Sequence, residues 1–225
     1  MLRAREANRR YFREAYRTGE HGWEVTEPSP QAVRFLKRLK KLVPSGKLLD
    51  IGCGEGRHSF AAAQMGFKVT AIDYEPLALK RARRLASIHH LRRITFRRAN
   101  AFSLPFPGSF FDIVLDYGCL HHQKKSDWAA YVSSILRVLK PGGFYVLSVF
   151  SRRFRLFRGS RRPWHIAYGA YRRYLTAAEI SGLFGADFEV LDMIEEQGRG
   201  GGFWHVLMRR RVGTGLSIQQ MRSLR

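Results

Sequence analysis

Between an apolar run and a helical pattern, Asp50-Ile51-Gly52-Cys53-Gly54-Glu55-Gly56 places glycines at alternate positions. Glycine turns the backbone sharply and lets a ligand come close to it. The amides that open the next helix are unpaired donors for an anionic group. Asp73 follows Gly52 by 21 residues, at the tip of the next apolar run. A carboxylate there can accept both hydroxyl protons of a ribose. The same turn also serves as a purely structural bend. Asp116 and Tyr117 close a later apolar run, and His121 and His122 follow at once. Either imidazole could act as a general base toward an N–H or O–H acceptor, or simply pack the turn. A thiolate acceptor would need no base. A nicotinamide dinucleotide fingerprint has Gly-x-Gly-x-x-Gly. Here the third glycine comes one residue early, and Arg57 stands in its place.

These residues need elements to hold them. Ala4, Ala7, Tyr11, Phe12, Ala15 and Tyr16 recur at helical spacing and predict an amphipathic N-terminal helix. A second helix carries Ala32, Val33, Leu36, Leu39 and Leu42 on one face, and Pro44-Ser45-Gly46 ends it. Strands are expected at 47–51, 67–72, 93–98, 111–115 and 144–149, with helices over 55–65, from Pro76, and after Ser126 as N-cap. Pro141-Gly142-Gly143 turns the chain into the strand 144–149. Thr176 and Glu179 form a capping box that opens another helix. Two strands, 188–194 and 203–208, then make a hairpin around Gly198 to Gly202. The alternation predicts an α/β, doubly wound, mostly parallel sheet with helices on both faces and an antiparallel C-terminal hairpin strand.

The chain has 225 residues, 45% of them hydrophobic and 13% aromatic, which excludes disorder as its main state. Two cysteines, Cys53 and Cys119, make neither a disulfide framework nor a structural zinc site, and no metal site is expected. No apolar stretch reaches the length of a membrane span. The N-terminus is Arg-rich without an apolar signal core, and Glu6 and Glu14 stand against a mitochondrial transit peptide. A cytoplasmic protein, monomer or homodimer, is expected. The net charge is +22, and residues 151–173 hold eight arginines and no acid, interleaved with Phe154, Phe157, Trp164, Tyr168 and Tyr171. That mixture suits an anionic or stacked-base partner, such as RNA or an anionic small molecule, or is a solvated surface. The segment is expected to be a mobile basic cover over the acceptor pocket.

DIGCGEG and AIDYEP together resemble the first two motifs of the class I S-adenosylmethionine-dependent methyltransferases. ANAFSLPF at 99–106, FDIVLDYGCLHHQ at 111–123 and RVLKPGGFYVLSVF at 137–150 are similar to that family's later motifs. The resemblance implies a Rossmann-like seven-stranded sheet, S-adenosyl-L-methionine as cofactor and in-line transfer of its methyl group. CGEGRHS and YGCLHH resemble the small-molecule branch that includes thiopurine and tellurite-resistance-type enzymes. A small-molecule acceptor follows, with tRNA or rRNA as the alternative through the basic 151–173 segment. By the resemblance, Asp50, Gly52, Cys53 and Gly54 line the methionine end of the cofactor. Asp73 binds the ribose, Tyr74 packs on the adenine, and Asn100 and Ala101 meet the adenine. The family commonly has Asp where this chain has Asn100. Asp116, or backbone carbonyls at Asp116 and Tyr117, takes the methionine ammonium, and Arg57 could reach its carboxylate. Tyr16, Trp23 and Trp164 could pack on the sulfonium or the acceptor, or belong to the core. Residues 1–45 are expected to form a helical cap on the same domain, 46–211 the methyltransferase domain with a substrate-side insertion at 151–175, and 212–225 a polar tail.

Overall fold

Runs of Leu, Ile and Val bounded by glycine turns favour buried parallel strands, and the architecture follows them. A computed structural model describes residues 2–19, 27–157, 162–196 and 202–212. The strands are β1 (Lys47–Ile51), β2 (Lys68–Asp73), β3 (Ile94–Arg98), β4 (Phe111–Tyr117), β5 (Leu139–Phe150), β6 (Trp164–Ala167), β7 (Ala170–Arg173), β8 (Phe188–Glu195) and β9 (Phe203–Arg210). Seven of them form one sheet in the order β3-β2-β1-β4-β5-β9-β8, and β6-β7 pair separately. Strand β9 alone in that sheet runs against its neighbours, β5 and β8. The order turns back between β1 and β4, which is where open α/β sheets bind ligands. Register aligns Ile51 with Ile72 and with Asp116, so β1, β2 and β4 end side by side.

Helices cover both faces: α1 (Leu2–Thr18), α2 (Pro30–Leu42), α3 (Arg57–Gln64), α4 (Pro76–Ile88), α5 (Trp128–Val138) and α6 (Ala177–Phe184). Helix α2 buries Ala32, Leu36 and Leu39 of the expected face together with Phe35, while Val33 is half-buried and Leu42 is exposed. On that face Leu48, Ile113 and Leu115 meet α2 and α3. On the other face Leu49, Ile51 and Val114 meet α5 and α6. Alternation along each strand produces the two layers. Each fully buried aliphatic side chain contributes about 1.5–3 kcal/mol relative to exposure. The Thr176 hydroxyl accepts from the Glu179 amide at 3.1 Å, and Glu179 returns a bond to the Thr176 amide at 3.0 Å, the capping box read from sequence.

Some boundaries differ from the sequence reading. Helix α3 starts at Arg57, not Glu55, because Gly56 holds φ of +94°. Helix α5 starts at Trp128, after a 3₁₀ turn over Lys125–Asp127, so Ser126 is not its N-cap. Strand β5 begins at Leu139. The Pro141-Gly142-Gly143 stretch appears as a register jump, from Phe111 opposite Leu139 to Ile113 opposite Phe144. The largest correction concerns 151–173, expected as a mobile cover. It contains the β6-β7 hairpin, whose turn residues Tyr168 and Gly169 have φ of 51° and 83°. Two positive φ values match the strand twist in a two-residue hairpin turn. Strand β7 is buried along its whole length and packs against α1. Among the described residues no helix is long and apolar enough to cross a membrane. The glycine-rich loop at 198–201, Trp23 and the tail from 213 lie outside the described residues.

Candidate active site

At the carboxyl ends of β1, β2 and β4 lies a cavity of 360 Å³. The glycine turn forms part of its wall. Gly52, Gly54 and Gly56 hold φ of 68°, 56° and 94°. A Cβ at Gly54 would stand 2.7 Å from the Tyr16 hydroxyl, so the turn needs glycine for space as well as for φ. The Cys53 amide donates to the Ile72 carbonyl at 2.9 Å and ties the turn to β2.

Asp73 is buried at the cavity wall. The Gly54 amide donates to its Oδ2 at 3.0 Å and the Glu75 amide to its Oδ1 at 2.9 Å. Both oxygens are thereby aimed, each with a lone pair left over. Burial raises the Asp73 pKa, and the amide bonds oppose that shift. Asp50 also lines the cavity and accepts from the Ser59 hydroxyl at 2.6 Å. Burial pushes its pKa up to about 7. Tyr74, Asn100 and Ala101 line the same space. The Tyr74 hydroxyl donates to the Asn8 carbonyl at 3.3 Å. Asn100 Oδ1 accepts from the Phe102 amide at 3.1 Å, so its oxygen serves an Asx turn.

Asp116 is not on the cavity. Strand alternation turns its side chain with Val114, toward α5, while Tyr117 turns the other way. Fully buried, Asp116 accepts from the Tyr131 and Tyr145 hydroxyls at 2.7 and 3.1 Å and from the Cys119 amide at 2.8 Å. Those bonds fix the turn after β4. The expectation that its carboxylate meets a ligand is corrected by this geometry; of the two residues, Tyr117 lines the cavity and Asp116 does not. Tyr117 lines the cavity, stacked on His58 with ring centroids 4.2 Å apart, and the Arg57 guanidinium lies 5.2 Å over its ring.

His121 and His122 both line the cavity, in opposite tautomers. The Phe150 amide can only donate, and it reaches His121 Nδ1 at 3.1 Å. The neutral His121 ring therefore carries its proton on Nε2. The Tyr171 carbonyl can only accept, and it lies 2.8 Å from His122 Nδ1. The neutral His122 ring therefore carries its proton on Nδ1 and leaves Nε2 bare. Burial lowers both pKa values, that of His122 to about 4. A base role for His121 is corrected accordingly, because its one basic nitrogen is already engaged.

Helix α1 supplies wall residues that sequence reasoning missed, among them Asn8, Arg9 and Phe12. Its aromatic face was visible, but not the sheet end that it covers. Phe150 and Phe203, at the ends of β5 and β9, add apolar wall. Trp164 lies elsewhere, on a second cavity of 430 Å³ beside Tyr171, Lys124 and Lys125. The basic segment is less bare than expected. Arg153 and Arg173 pair with Glu195 and Glu179 at 2.9 and 2.6 Å, and Arg152 lies 3.8 Å from Glu179. Arg172 is buried, bonded to the Ala167 carbonyl and the Tyr11 hydroxyl.

A methyltransferase-domain family model matches residues 48–143. A probable S-adenosylmethionine-dependent methyltransferase of Mycolicibacterium smegmatis is 30% identical over 167 residues, covering 70% of this chain and 58% of that protein. A 2-heptyl-1-hydroxyquinolin-4(1H)-one methyltransferase of Mycobacteroides abscessus is 26% identical over 130 residues, covering 58% of this chain and 56% of that protein. Among solved structures, Burkholderia thailandensis 1,6-didemethyltoxoflavin-N1-methyltransferase superposes with a TM-score of 0.73 at 24% identity. That alignment covers 92% of this chain and 88% of the other, whose structure holds 1,6-didemethyltoxoflavin and S-adenosylhomocysteine. With the sheet order and the glycine turn, these matches give the chain the fold of the class I S-adenosylmethionine-dependent methyltransferases and a methyltransferase domain over residues 48–143. The matched parts span little more than half the length of the first two curated relatives.

Proposed function

We propose that this chain transfers the methyl group of S-adenosylmethionine to a small-molecule acceptor. The observation that carries the reading is a single cavity lined by the positive-φ glycine turn, by Asp73 and by both histidines. The residues suit the cofactor. Asp73, aimed by two amides, accepts from the ribose hydroxyls. Tyr74, Asn100 and Ala101 flank the adenine. Gly52, Cys53, Gly54 and Asp50 border the methionine part, with the backbone at Tyr117 receiving its ammonium. The bound cofactor supplies an electrophilic methyl group on a cationic sulfur. The chain contributes orientation, exclusion of water and a place for the acceptor's proton.

Residues 1–45 act here as a cap that closes one wall, and 151–175 as an insertion on the acceptor side. An RNA acceptor draws no support from that insertion, because the described arginines turn to Glu179, Glu195, backbone carbonyls or aromatic rings. Incubation with methyl-labelled S-adenosylmethionine, a small-molecule extract and total RNA tests the reading. Label is expected in the small-molecule fraction. Label in RNA alone would overturn the acceptor assignment, and absence of S-adenosylhomocysteine binding by calorimetry would overturn the whole reading.

A further inference from the structure

We infer that the acceptor is a flat ring system bearing a hydroxyl, whose oxygen accepts the His121 Nε2 proton and whose O–H donates to His122 Nε2. This rests on the function proposed above and specifies its substrate. The inference stands on geometry. Two adjacent imidazoles with centroids 4.5 Å apart present one donor and one acceptor to the same cavity. Their tautomers are imposed from behind, by the Phe150 amide and the Tyr171 carbonyl. A lone carbonyl satisfies only one of them, whereas a hydroxyl, which both donates and accepts, satisfies both.

The surroundings favour a flat, uncharged ring. Phe150 stacks on His121 at 3.6 Å, and Phe12 stands edge-on to His122 at 5.0 Å. Tyr117 and Phe203 stack at 5.5 Å and add a further aromatic wall. Behind the histidines sits the buried Arg172 guanidinium, whose charge, added to burial, keeps both rings neutral. In the transfer, the acceptor oxygen gives a lone pair to the methyl carbon as the carbon–sulfur electron pair returns to sulfur. The hydroxyl proton passes to His122 Nε2. The resulting imidazolium keeps its Nδ1–H on the Tyr171 carbonyl, which favours the charged form. His122 is thus the catalytic residue of the pair, and His121 sets specificity.

The first test needs no turnover. Long-range nitrogen-15 NMR of the full chain should find the His121 proton on Nε2 and the His122 proton on Nδ1. The reverse assignment in either ring overturns the inference. The second test is calorimetry with S-adenosylhomocysteine present, using 3-hydroxychromone, chromone and 3-methoxychromone. The hydroxyl compound should bind about 3- to 10-fold tighter than the other two, the range for one neutral hydrogen bond. His122→Asn keeps a donor for the Tyr171 carbonyl but lacks the distal acceptor, and should abolish that preference. His122→Gln offers a distal carbonyl and should restore part of it. Equal affinities, or no chromone binding, would overturn the substrate class. In both variants S-adenosylhomocysteine should bind as in the parent. Loss of that binding in the parent chain would instead sink the proposed function.

Discussion

Asn8 in the first helix and Tyr171 in the hairpin, 163 positions apart, are joined side chain to backbone: the Tyr171 amide donates to Asn8 Oδ1 at 2.8 Å. The same side chain donates from Nδ2 to the His122 carbonyl at 2.7 Å. One buried amide thus holds together α1, β7 and the turn that carries both histidines. Asn8→Ala leaves a buried N–H and a carbonyl without partners and should cost about 1–3 kcal/mol. Urea denaturation measures the loss, and hydrogen exchange at the Tyr171 amide should accelerate with it. Unchanged exchange would show that the contact is not formed in solution.

Removing the Asp73 carboxylate should affect cofactor affinity most directly. Hydrogen bonds to a charged group are worth about 1.5–3 kcal/mol, so Asp73→Ala should weaken S-adenosylhomocysteine binding roughly 10- to 100-fold. Calorimetry reads this without an acceptor. An affinity equal to the parent's would take Asp73 out of the binding site.

At Gly54 the demand is steric. Gly54→Ala forces a side chain into a left-handed conformation, at about 1–2 kcal/mol, and drives its Cβ toward the Tyr16 hydroxyl. Cofactor binding should fall at least tenfold while far-ultraviolet circular dichroism keeps the parent spectrum. Gly54→Ala combined with Tyr16→Phe should recover part of the affinity by removing the atom that is struck.

The pH response should lack a histidine limb near neutrality. His122 is held at about 4, below its ordinary 6.5. Its Nε2 therefore stays bare from pH 6 to 8, and the rate should show no inflection from it there. Stability carries the same sign. A depressed histidine pKa contributes stability above about 6.5, and that contribution is lost as pH falls toward about 4. An inflection at pH 6.5 that vanishes in His122→Asn would contradict this placement.

Asp50 behaves oppositely. Its folded pKa of about 7 exceeds the ordinary 3.8, so its contribution is complete below 3.8 and is lost as pH rises through about 7. Asp50→Asn removes that loss. Relative to the parent, the variant should gain stability between pH 5 and pH 8 in urea titrations. Parallel curves for the two proteins would mean that Asp50 is solvated more than its burial implies.

Local signals made the central strands legible. Leu48 to Ile51 and Phe111 to Leu115 are apolar runs closed by a glycine or an acid, and each became a buried strand beside the cavity. Asp73, His121 and His122 stood out because each lies at or just past a strand tip, and strand tips converge in a parallel sheet, whereas Tyr74 and Asn100 came with the motif resemblance; all five line the cavity. The direction of the Asp116 side chain was less visible. It depends on whether residue 116 falls in or out of the pleat, and the aromatic pair Tyr131 and Tyr145 that receives it sits in other elements. The β6-β7 hairpin was hidden because its strands are short and rich in Arg and aromatics. Its turn is Tyr-Gly rather than an Asn-Gly or Asp-Gly pair. Asn8 was invisible for a different reason: a polar residue on a helix face gives no local sign of partners more than a hundred positions away.

The reversed strand has a consequence for how the chain is made. Strand β8 touches the rest of the sheet only through β9, which is synthesised after it. Val206 and Met208 complete one apolar layer, and Leu207 completes the other. Until Phe203–Arg210 emerges from the ribosome, β5 presents an open edge with unpaired amides, and β8 has nowhere to dock. Such an edge is a template for foreign strands. Vectorial synthesis therefore leaves a nascent chain exposed to mispairing until almost all of this fold has been translated, and a chaperone that shields β5 would act in that interval.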